Sequence, residues 1–77
     1  MPLFHFDVRY DGEPWSDDQI GMDLAGPEEA RPAALELLAE LAKDKLGKYD
    51  FLAVRIRDGQ PEPVLTLNLS LRAEERL

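Results

Sequence analysis

The chain has 77 residues, 44% of them apolar, no cysteine, one histidine, and a net charge of −7 from sixteen acids against nine bases. One domain over residues 1–77 is expected, able to bury only roughly 60% of its unfolded surface and so inclined to gain stability from a partner subunit. Disulfides, thiolate metal sites and histidine clusters are excluded within one chain, and the acidic balance lacks the basic footprint that nucleic-acid binding requires.

The opening MPLFHFDVRY has no basic start followed by a long apolar run, which argues against a signal peptide and for a cytoplasmic protein. Within it Phe4, Phe6, Val8 and Tyr10 alternate with His5, Asp7 and Arg9, the period of a half-buried strand. Asp11-Gly12 follows as a turn in which glycine accepts positive φ.

Residues 11–29, DGEPWSDDQIGMDLAGPEE, hold seven acids and no lysine or arginine. The remaining nine acids match the nine bases, so all the excess charge lies in this segment. An irregular return strand with a turn near Gln19 to Gly21 is expected, taking in Trp15 or Ile20, Met22 and Leu24.

A helix comes next in GPEEARPAALELLAELAKDKLGK, with Pro27 at its first position, Glu28 and Glu29 at its positive end and Gly47 as its C-terminal cap. Pro32 removes a hydrogen bond past the first turn at a cost of ~3 kcal/mol, so a break or kink is expected near Arg31. Ala34, Leu37, Leu38, Leu41 and Lys45 share one face, flanked by a stripe of Leu35, Ala39, Ala42 and Leu46. Glu36, Glu40, Lys43 and Asp44 face solvent and exclude a membrane span. The apolar arc is wider than one sheet contact needs, which points to a second neighbour.

Two alternating strands close the chain: FLAVRIR, with Leu52, Val54 and Ile56 on one side, and VLTLNLSLR, with Leu65, Leu67, Leu69 and Leu71. DGQPEP supplies their turn, and the tail at residues 72–77 is expected to be flexible. The fold class is α+β, β-β-α-β-β, an antiparallel sheet with one helix packed on one face. His5, Asp7, Arg9, Arg55 and Arg57 then share the opposite, exposed face, where cross-strand pairing with Asp7 explains the arginines better than an anion or RNA surface does.

No catalytic constellation is present, because neither Ser16 nor Ser70 has the context of an activated nucleophile. Asp17, Asp18 and Asp23 are weak candidates for a cation site, since Trp15 and Ser16 stand where a calcium loop needs a ligand and a glycine. Trp15 is a candidate partner anchor, weighed against folding back over the end of the core. No cofactor is expected.

Taken together, FHFDV, the Gly12 turn, DQIG at Asp18–Gly21, EEARPAALELLAELAKD and DGQPEPVLTLNLSL resemble a family of small uncharacterised proteins of alphaproteobacteria such as rhizobia. The resemblance implies a bacterial, cytoplasmic setting and brings no activity or catalytic residue with it. Pro32 departs from the family pattern, which carries a good helix former there.

The leading expectation is a non-enzymatic module that associates with itself or another protein. Pairing would run through Leu35, Ala39, Ala42 and Leu46 or through a sheet edge, with Trp15 as a further contact. The alternatives are a small-ligand or cation-binding protein using residues 11–29, and an antitoxin-like regulatory partner recognising a basic protein through them.

Overall fold

A computed structural model describes residues 2–76. The elements run β1 (Leu3–Tyr10), β2 (Met22–Asp23), α1 (Pro27–Lys45), β3 (Phe51–Arg57) and β4 (Leu65–Ser70). They form one antiparallel sheet in the order β2-β1-β3-β4, so the α+β, β-β-α-β-β architecture expected from the pattern is the observed one. Consecutive β3 and β4 pair as a hairpin, while β1 lies centrally against β3, His5 opposite Arg57 and Tyr10 opposite Leu52.

The helix packs chiefly on β3 and β4. Ala30, Ala34 and Leu38, one turn apart, face the sheet and are buried. The two alanines let the helix approach closely, against Phe4, Leu52, Val54 and Ile56. Leu37 and Leu41 pack half-buried beside them. The flanking stripe divides: Ala42 and Leu46 rest on the core, whereas Leu35 and Ala39 face solvent. At the far end of the core the Tyr10 and Tyr49 rings stack with centroids 4.9 Å apart.

Two local expectations are corrected. The helix is not interrupted near Arg31 but runs through Pro32; both Pro32 and Glu28, whose carbonyl loses its donor, are exposed, so water can satisfy it. In the β1 turn the positive φ falls on Asp11 (49°) rather than Gly12. Aspartate tolerates that region when its short side chain bonds locally, and Asp11 Oδ1 accepts the N–H groups of Asp50 (3.0 Å) and Phe51 (3.1 Å). Gly47, by contrast, is the expected left-handed residue after the helix, φ 98°.

The return from β1 is the least regular part of the sheet. Ser16 bridges Val8 and Met22 pairs with Phe4, so six steps along the returning chain face four along β1. The surplus loops out over residues 17–21, and this excursion builds the site described next.

Candidate functional site

The sheet face turned away from the helix was expected to be open. Instead, Asp7 on β1 and Ala53 on β3 have no exposed surface, although both point away from α1. The segment 15–21 crosses this face: its Asp18 N–H donates to Asp7, and its Trp15 ring lies over Arg9 and Arg55, which flank Ala53.

Asp7 is the centre of this layer. It stands directly across from Arg55 and accepts from Arg55 Nε (2.8 Å), from Arg57 Nε, from an Arg57 terminal nitrogen (3.0 Å) and from the backbone N–H of Asp18 (2.9 Å). Burial alone raises its pKa. The hydrogen bonds from Arg57, the Asp18 N–H and Arg55, with the Arg57 charge, outweigh that and bring it from an ordinary 3.8 down to about 2. The same contact holds Arg57 more firmly protonated than usual.

Asp18 organises the loop that crosses over. Its Oδ2 accepts the Phe6 N–H (3.1 Å), the β1 donor left unpaired between Ser16 and Met22. Its Oδ1 accepts the N–H groups of Ile20 (3.0 Å) and Gly21 (3.2 Å), an Asx turn. Gly21 takes φ 82°, and a β-carbon there would lie 2.9 Å from the Leu3 side chain and 3.1 Å from the His5 ring, so glycine is required twice over. Burial works against ionised Asp18, but the bonds from Phe6, Ile20 and Gly21, with nearby His5, lower its pKa. His5 Nδ1 lies 3.0 Å from the Asp18 carbonyl.

Asp17 turns back to a terminal nitrogen of Arg55 at 3.2 Å. The Trp15 ring lies over the Arg55 guanidinium (4.4 Å) and that of Arg9 (5.0 Å), with the Phe51 ring 5.9 Å from Arg9 as well. Arg9 Nε is buried without a hydrogen-bond partner, and aromatic faces take the place of a carboxylate around it. Trp15 thus seals the polar face; it does not fold over the end of the core.

These positions redistribute the candidates. Asp17 and Asp18 face different partners, and Asp23 is exposed on β2. Among the described residues no three His, Asp or Glu side chains converge as a metal site would need, and no pocket indents the surface. The expected pairing of Asp7 with the arginines holds for Arg55 and Arg57 but not for Arg9. Leu35, Ala39, Ala42 and Leu46 lie on the helix, away from this layer. Sequence reasoning missed the coverage. Its available signal was an aspartate set inside an apolar strand, together with a second aspartate three residues before a glycine. No described helix is long and apolar enough to cross a membrane.

The family model described as Domain of unknown function (DUF6894) matches residues 3–70. That range runs from the first residue of β1 to the last of β4. No curated protein and no solved structure matches the chain significantly. The chain belongs to the DUF6894 family, whose function is unknown.

Proposed function

We propose that this member of the DUF6894 family works as a non-catalytic interaction module that self-associates. The observation that carries the reading is the contrast between its two sheet edges. The β1 edge is closed: Ser16, the Asp18 carboxylate and Met22 take its outward positions in turn. Among the described residues the β4 edge has no neighbour. Its leucines Leu65, Leu67 and Leu69 stay half-buried, with Leu71 44% exposed beyond them.

The groups that would perform acid–base or ionic chemistry are engaged with one another. Asp7 binds two arginines, Asp17 binds one of them, and the Asp18 carboxylate accepts three backbone N–H groups. The motif resemblance supports a bacterial, cytoplasmic setting. Sedimentation velocity at micromolar concentration tests the reading: a species heavier than the 8.7 kDa chain is expected, and a monomer at every concentration would end it.

A second reading has one observation in its favour. Ile20 is 85% exposed at the tip of the Asp18 turn, just after exposed Asp17 and Gln19. An isoleucine among acids suits contact with a basic partner protein, as an antitoxin-like regulator would make. Retention of such a partner that survives Ile20→Ser together with Asp17→Asn would remove this reading. A cation-binding role for the segment predicts a higher melting temperature with calcium, magnesium or manganese, because a ligand of the native state must stabilise it.

A further inference from the structure

We infer that the partner for the β4 edge is a second copy of this chain, added as an antiparallel β4–β4 pair with Asn68 on the two-fold axis. The inference rests on the self-association reading and assigns its surface.

The backbone fixes which groups face outward. Leu71 N–H donates to the Asp50 carbonyl at 2.7 Å, so Leu71, Leu69, Leu67 and Leu65 turn their backbone groups toward β3. The N–H and C=O groups of Thr66, Asn68 and Ser70 therefore point to the free edge. Natural edges are blunted by charge, proline or bulges. From Val64 to Leu71 there is no charged residue, proline or glycine. One bulge occurs, at the very start, where the Val64 N–H reaches the Ile56 carbonyl while Leu65 is the register partner of Ile56.

Charge placement selects a second copy over a foreign strand. The acidic stretch 11–23 leaves the outer edge of β1 and folds over the β1–β3 face, where its carboxylates meet β1 and β3 groups and, among the described residues, none bonds β4. A β4–β4 pair joins the two uncharged edges and leaves the acidic segments of both copies outside the new strand pair. The side chains also match themselves. Hydroxyl and amide groups meet on one face, and leucines meet on the helix face.

Exposed Leu71 chooses the register. With Asn68 on the axis, Thr66 faces Ser70 of the partner subunit, Leu67 faces the partner's Leu69, and Leu65 faces the partner's Leu71. The leucines then occupy non-hydrogen-bonded positions, where facing side chains approach most closely.

The sequence has no cysteine, so single-cysteine variants report the register directly. Asn68→Cys is expected to form a disulfide-linked dimer under mild oxidation, because facing α-carbons there would lie about 5.5 Å apart. Thr66→Cys alone is expected not to cross-link, whereas Thr66→Cys mixed with Ser70→Cys should. Asn68→Pro removes an N–H that bonds nothing within the monomer, and Asn68→Lys places like charges on the axis. Each is expected to lower the dimer fraction at least tenfold while the circular dichroism spectrum stays native. A wild-type monomer would overturn the self-association reading together with this one. A dimer that survives both Asn68 variants and is broken by Leu35→Glu would overturn only the β4 assignment.

Discussion

On the helix side of β3, Leu52, Val54 and Ile56 have no exposed surface; on the other side of the same strand Ala53 is equally buried, yet that side also carries Arg55 and Arg57. One face is closed by a helix laying alanine and leucine on apolar side chains. The other is closed by a loop laying carboxylates and an indole on arginines. Apolar closure is non-directional and scales with area removed from water. Ionic closure depends on each donor meeting its acceptor, because a charge left buried and unpaired is costly. The two faces should therefore differ in what breaks them: volume on the helix side, charge and pH on the loop side.

The largest effect is expected from Leu52→Ala, which opens a cavity in the fully buried row and should cost about 2–5 kcal/mol in chemical denaturation, a large share of a small domain's stability. Asp7→Ala should come next, at about 3 kcal/mol, because it strands the Arg55 and Arg57 guanidinium groups beneath the loop. Asp7→Asn, of nearly equal volume, should recover little of that loss, whereas Leu52→Met should recover most of its own. That difference in rescue separates charge from volume.

Acid sharpens the contrast without mutation. Asp7 falls from 3.8 when unfolded to about 2 when folded, so its contribution is complete above pH 4 and disappears as pH falls toward 2. About 2 kcal/mol should be lost across that window, with Asp18, also lowered, acting in the same direction. Thermal melts of Asp7→Asn should show a correspondingly flatter pH dependence. Asp18→Ala should cost about 1–2 kcal/mol by stripping the acceptor from three N–H groups, and should speed amide exchange at Phe6 before that of β3. The smallest effect is expected for Asp17→Asn, under about 1 kcal/mol, since its carboxylate is 54% exposed.

The two faces were also unequally legible in the sequence. The alternation of Phe4, Phe6 and Val8, of Leu52, Val54 and Ile56, and of the β4 leucines announces the apolar face without reference to any distant residue. The helix surface was legible for the same reason, apart from Pro32, whose cost is borne where solvent can reach the freed carbonyl. The loop-covered face depends on meetings that no local period records. Asp7 and Arg57 are fifty residues apart, Trp15 and Arg55 forty, and Asp18 reaches Asp7 where the chain bulges after Ser16 and its carboxylate replaces a missing ladder partner. The pairing of Asp7 with arginine was within reach of pattern reasoning; of the lid over it, Asp18 and Gly21 left the only local trace.

The ionised, buried carboxylate of Asp7 is the point on which the second face turns, and carbon-13 NMR of its carboxyl group during a pH titration of the folded protein tests it directly. A midpoint near 2 is expected. A midpoint at 3.8 or above, with the fold intact, would contradict the closed ionic face.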